Sequence, residues 1–128
     1  MVKLIKKPGG LEPDFLPDVL RIGSLAAERK ALDIKAYDLR GLTPVADSFV
    51  LCSASSEPQF KAIYNGVREG MKAIGVKPLH SEGTVRGGWR VLDYGDIIVH
   101  IFREQSREFY DLDGLWGDAS EIDLELDG

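Results

Sequence analysis

The stretch Trp89-Arg90-Val91-Leu92-Asp93-Tyr94-Gly95-Asp96-Ile97-Ile98-Val99-His100-Ile101-Phe102 reads as two β-like runs joined at a glycine turn. If Tyr94-Gly95 is a two-residue loop, Gly95 supplies the positive φ that such turns demand. Counting outward from that loop sets Asp93 against Asp96, Leu92 against Ile97, Val91 against Ile98 and Trp89 against His100. Side chains alternate across a strand, so Leu92, Tyr94, Ile97, Val99 and Ile101 share one apolar side that belongs under helices. The other side is mixed, with Trp89, Val91, Asp93, Asp96, Ile98, His100 and Phe102. Two carboxylates opposed on that side would cost on the order of 0.2–1 kcal/mol, for which folding alone gives no reason.

Around this hairpin the chain has room for one domain. Its 128 residues can bury a core without disulfides or metal. The single cysteine, Cys52, lies in the apolar run Phe49-Val50-Leu51-Cys52 and reads as a buried reduced thiol. No apolar run approaches ~18 residues and no hydrophobic block follows the N-terminal lysines, so neither a membrane span nor a secretory signal is expected. The expected location is cytoplasmic. A net charge of -5 argues against a uniformly basic nucleic-acid surface and suits a basic protein partner.

Residues 1–17 contain Pro8, Gly9, Gly10, Pro13 and Pro17 and read as a flexible extension. From Asp18 a helix is expected, with Val19, Ile22, Leu25 and Ala26 on one face. Ile34 to Arg40 alternates like a half-buried strand, and Phe49 to Cys52 is a second. Ser56-Glu57-Pro58-Gln59 combines a capping-box spacing with an early proline. The helix it opens carries Phe60, Ile63, Tyr64, Val67, Met71 and Ile74 at three- and four-residue steps and stops at Gly75. Its opposite face, Lys61, Asn65, Arg68 and Lys72, is the pattern of a solvated helix side and also of a contact with a phosphate backbone. Val76 to His80 reads as a short edge strand and 81–88 as a loop. Beyond Phe102 a short helix or turn delivers Phe109, Tyr110, Leu112, Leu115 and Trp116 as a closing clasp, and 120–128 reads as a solvated acidic tail. The fold class is α+β: a mixed sheet of about five strands with two main helices on one face.

Three blocks carry a family resemblance. The run Trp89 to Phe102 resembles the W-x-x-L-D-Y-G-D-hydrophobic-H-hydrophobic-F signature of the ribosomal silencing factor family, also called Iojap. Ala46-Asp47-Ser48-Phe49-Val50-Leu51 with Ser53 and Ser56 is similar to the family's A-D-x-F-V-I-x-S-G-x-S block, with Ala54 where glycine is usual. Phe109-Tyr110-Asp111-Leu112 with Leu115-Trp116-Gly117-Asp118-Ala119 resembles its F-Y-x-L-x-x-L-W-x-D-A ending. The resemblance covers residues 18–119 in order. It implies a nucleotidyltransferase-like topology and self-association into a homodimer. It also implies a factor that binds protein fourteen of the large ribosomal subunit, sterically blocks the small subunit and represses translation under nutrient limitation.

On residues alone, the binding reading needs no catalytic group. Trp89, Val91, His100 and the turn residues Asp93, Tyr94, Gly95 and Asp96, with Glu82 at the flank, offer aromatic anchors ringed by acids. The alternative for Trp89 is burial under the first helix or the clasp. His80 and His100 are the only histidines, so a metal site would lean on carboxylates and none is expected. An enzyme of nucleotidyltransferase type would want a Gly-Ser turn opening a helix and a D-x-D pair after it. Ser53-Ala54-Ser55-Ser56 leads instead to Pro58, and no phosphate loop or nucleophile elbow occurs. No enzymatic activity and no cofactor are expected. A nucleotidyltransferase-like enzyme and a homodimeric adaptor for another protein remain the competing readings.

Overall fold

The computed structural model, which describes residues 14–126, is built on a six-stranded mixed sheet. In chain order the elements are α1 (Leu16–Glu28), β1 (Leu32–Asp38), β2 (Ser48–Ala54), α2 (Glu57–Lys72), β3 (His80–Thr84), β4 (Trp89–Asp93), β5 (Ile97–Arg103), α3 (Glu104–Tyr110), α4 (Leu112–Leu115) and β6 (Ser120–Ile122). The strands lie in the order β3-β4-β5-β2-β1-β6. Only β2 and β5 run parallel, and they form the centre. Every residue of β2 is buried, as is all of β5 but its last.

Both faces of that central pair need covers, and the chain supplies two of different kinds. On one side α1 and α2 lay Val19, Ile22, Phe60, Ile63, Val67 and Met71 against Leu92, Ile97, Val99 and Ile101. The helical periodicity therefore marks the inward faces through Met71, but α2 ends at Lys72 and Ile74, expected on the same face, lies beyond the helix and is exposed. Ser56 caps α2 by accepting from Gln59 N–H at 3.2 Å, and Gly75 follows the helix with φ +82. On the other side Tyr37, Leu39, Phe49, Leu51, Ile98 and Phe102 form a second core. Trp89, Val91, Leu112, Trp116 and Ala119 pack partly buried against it. Cys52 is fully buried, which pushes its thiol up to about 12.

Four expectations from the sequence change. The hairpin pairs Leu92 with Val99 and Asp93 with Ile98, two residues away from the register counted from a Tyr94-Gly95 loop. Tyr94 N–H donates to Ile97 C=O at 2.8 Å, so the loop is Gly95-Asp96 and the positive φ (+93) of Gly95 sits at its first position. A two-residue slip leaves every side chain on its side of the sheet, so the two faces stand as read. The Asp93–Asp96 opposition, however, disappears. The edge strand expected over Val76 to His80 lies later, at His80–Thr84, and takes up the first four residues of the segment read as a loop. Helix α1 opens at Leu16, ahead of the expected start, with Phe15 and Leu16 buried; the rest of the 1–17 extension up to residue 13 lies outside the described residues.

The fourth change concerns the acidic tail. Ser120–Ile122 pairs antiparallel with β1, Ile122 opposite Ala36, and both Ile122 and Leu124 are buried. Leu124 fills the space over Gly23 of α1, where an added Cβ would stand 3.2 Å from its Cδ2. The acids at Glu121, Asp123 and Glu125 mask an alternation, Ile122, Leu124 and Leu126, that is the period of a half-buried strand. Leu124→Ala is therefore expected to lower urea-unfolding stability by about 2–4 kcal/mol, and Leu126→Ala by less than about 1 kcal/mol. A solvated tail would leave both variants at the wild-type midpoint.

Candidate functional site

The antiparallel ladders bring the turn residues to one end of the sheet. His80 pairs with Asp93, and the Gly95-Asp96 loop sits against the start of β2, where Asp96 C=O accepts from Asp47 and Ser48 N–H at 2.9 and 3.0 Å. Asp93 is not an unpaired charge: its carboxylate accepts from Gly95 N–H at 2.7 Å and lies 3.4 Å from His80 Nε2. The same nitrogen is 3.0 Å from Glu82 Oε2, so His80 stands between two carboxylates. Asp96 is exposed, and beside Gly95 lies Leu79, 74% exposed. This end of the sheet is an acidic rim with an apolar residue in it.

Trp89, Val91 and His100 lie on the clasp side of the sheet, behind the rim. The expected opposite of Trp89 was His100; the structure sets Phe102 there and Val91 opposite His100. Trp89 and His100 nevertheless meet on the diagonal. Trp89 Nε1–H donates to His100 Nδ1 at 3.1 Å. Trp89 also stacks on Phe102 at 5.0 Å and meets the ring of Tyr110 at 4.5 Å, and Tyr110 in turn meets Phe109 edge-on at 5.0 Å. The result is a ladder of rings running from the buried His100 through half-buried Trp89 to Phe109, which is 80% exposed. Trp89 thus falls between the exposed anchor and the covered core residue that the sequence left open. Tyr94 is separated from this ladder, because its ring packs on the helix side of the sheet.

His100 is not surface-forming as expected. It is buried against Phe49, with ring centroids 4.5 Å apart, and burial pushes its pKa down to about 4. The bond from Trp89 requires a neutral ring with Nδ1 as acceptor, which leaves Nε2 as the protonated nitrogen.

The clasp holds the ladder in place, and its hub was not legible in the sequence. Arg107 of α3 is buried. Its guanidinium donates to Asp33 C=O, to Ser53 Oγ at 3.0 Å and to both carboxylate oxygens of Asp113 at 3.0 and 3.1 Å. Tyr37 O–H donates to the same carboxylate at 2.8 Å. Burial works against the charge on Asp113, but the bonds from Arg107 and Tyr37 outweigh it and hold the carboxyl below its usual range. One buried cation thereby ties α3 and α4 to β1 and β2. Three clasp residues expected to pack, Phe109, Tyr110 and Leu115, are instead exposed, although Tyr110 keeps its ring contact with Trp89. Among the described residues no group of three or more His, Cys, Asp or Glu is arranged to hold a metal ion, and no helix is long and apolar enough to cross a membrane.

The fold defines an α+β class with a mixed sheet covered by two long helices on one side and a short helical clasp on the other. By sequence the chain belongs to the family described as Ribosomal silencing factor during starvation, whose profile matches residues 13–127. It is 35% identical to the Ribosomal silencing factor RsfS of Bacillus subtilis over 109 residues, covering 84% of this chain and 92% of that one. It is 34% identical to the chloroplastic protein Iojap of Zea mays over 119 residues, 91% of this chain and 50% of that one. A crystal structure of a Chromobacterium violaceum protein superposes with a TM-score of 0.77 at 30% identity, covering 82% of this chain and 88% of that one. One from Bacillus halodurans superposes at 0.71 and 26%, covering 84% and 98%.

The His100 environment has a measurable consequence. Between about pH 6.5 and pH 4 the unfolded chain takes up a proton that the folded chain refuses, so this contribution is full above about pH 6.5 and falls as pH drops. The loss reaches roughly 3 kcal/mol at most. His100→Gln, which can still accept from Trp89, is expected to be less stable at pH 7 but to show a flatter stability profile between pH 6.5 and 4. Parallel wild-type and variant profiles in urea titrations would contradict the assignment.

Proposed function

We propose that this protein binds the large ribosomal subunit at its protein fourteen, and that its bulk there keeps the small subunit from joining, lowering translation when nutrients are limiting. The proposed setting is the cytoplasm, and the proposed role is that of a binding protein and not an enzyme. Membership in a family named for ribosomal silencing supports this reading. The observations that carry the proposed contact are the ring ladder from Trp89 to Phe109 at one end of β4 and the carboxylates Asp93 and Asp96 at its turn end, with Glu82 on the neighbouring edge strand. Aromatic residues ringed by charge are the usual anatomy of an interface whose partner is basic. The clasp orders those rings before binding, so little side-chain entropy remains to be lost on contact. Self-association into a homodimer is a secondary part of the proposal, supported by the exposed, unpaired edge of β3.

Asp96 separates docking from folding best, since its side chain is exposed and its structural hydrogen bonds run through the main chain. Asp96→Lys is expected to weaken co-sedimentation with purified large subunits by at least about tenfold while shifting stability by no more than about 0.5 kcal/mol. The same variant should lose inhibition of subunit joining in a light-scattering assay. Unchanged affinity in Asp96→Lys would remove the rim from the interface.

A further inference from the structure

Two stretches of this acidic chain differ sharply in charge. From Glu104 to Leu126, on the clasp and edge β6, Arg107 is the one basic residue, and it is buried in its own network. The exposed side of α2, across the sheet, carries Lys61, Arg68 and Lys72 at helical spacing. That stripe is about 16 Å long. Its acidic neighbours are Glu57, which meets Lys61 at 4.0 Å, and Glu69. Taken alone the stripe is an ordinary solvated helix face.

A second observation lies where α2 crosses β4. Arg90 stacks its guanidinium over the ring of Tyr64, 3.7 Å from the centroid. Tyr64 is only 3% exposed, yet its hydroxyl makes no hydrogen bond among the described residues. The hydroxyl of Tyr94 and Nε of Arg90 are likewise buried without a partner. Tyr94 lies within electrostatic reach of both Tyr64 and Arg68, and burial keeps its phenol protonated, pushing it up to about 12. Three unmatched donors therefore gather beside the cationic stripe. Leaving such groups without an acceptor carries the desolvation penalty of each. Nothing in the first core requires polar atoms at these positions.

We propose that Arg68, Arg90, Tyr64 and Tyr94 form a site for the phosphate backbone of RNA, with Lys61 and Lys72 extending it along α2. Phosphate oxygens are charged acceptors, which suits guanidinium and ammonium groups with hydroxyls beside them that are free to donate. A guanidinium stacked on a ring is held in a fixed plane, which suits two-point contact with a phosphate. The site rests on the proposed ribosomal docking. The Gly95-Asp96 turn links Tyr94 to the acidic rim, so a protein contact at the rim brings the α2 side toward the RNA surrounding it.

The test uses the full chain with purified large subunits. Affinity is measured by sedimentation across a range of KCl for the wild type, Arg68→Gln and Arg90→Gln, and bound complexes are probed by hydroxyl-radical footprinting of the ribosomal RNA. The expected result is that each substitution reduces the slope of log affinity against log salt by about one, and that a stretch of backbone protected by the wild type becomes exposed in Arg68→Gln. Arg68 is exposed, so that variant keeps the test free of folding losses should Arg90→Gln prove unstable. Wild-type binding with equal slopes and identical footprints would overturn the RNA site while leaving the docking intact. A reduced slope without any change in backbone protection would assign the stripe to an acidic protein and also overturn it. Failure of the wild type to sediment with large subunits would remove the docking reading and this site with it.

Discussion

Burial of the central strands on both faces is the constraint from which the rest of the molecule follows. β2 and β5 pair in parallel over seven positions, Ser48 with Ile97 through Ala54 with Arg103, and neither can leave a face to water. One cover is conventional, two amphipathic helices whose apolar stripes are long enough to pack on their own account. The other is not. α3 has 7 residues and α4 has 4, too short to hold helical structure without tertiary contacts. What holds them is Arg107, bonded at once to Asp113, Ser53 and the Asp33 carbonyl. Removing one partner from such a network leaves a buried charge uncompensated, a larger loss than the pair contributes in net stability.

That economy has a consequence for the exposed surface. A short clasp cannot cover the whole second face, so the row of rings that begins in the core at Phe49 and His100 emerges at Trp89, Tyr110 and Phe109. The neutral state of His100 belongs to the same arrangement. A charged ring would lose Nδ1 as acceptor and with it the bond that orients Trp89. Core packing and presentation of the surface therefore depend on one another here.

Much of this was readable from residue order. Helix α2 announced itself through Ser56, Pro58 and the apolar steps from Phe60 to Met71, because cap and period are local signals and both agree. The hairpin faces were readable from alternation alone, but its register was not: a slip of two residues keeps parity, and only the position of Gly95 within the loop distinguishes the alternatives. Arg107 carries no local signal, because its burial depends on Asp33 and Ser53, more than fifty residues away in sequence. The last strand escaped because acids at every second position gave the segment the composition of a solvated tail while its leucines and isoleucine kept the period of a strand. Of the site residues, Asp93, Gly95, Asp96 and Glu82 do share one edge-to-turn region, Trp89, Val91 and His100 lie on the clasp side, and Tyr94 turns to the helices.

The central claim is that the hairpin rim and the clasp rings together make the docking surface. Amide hydrogen exchange of the full chain, free and bound to large subunits, tests it most directly. The account predicts added protection over residues 89–96 and 109–116, where the ladder and rim lie. Binding that leaves both segments exchanging at their free rates would contradict it.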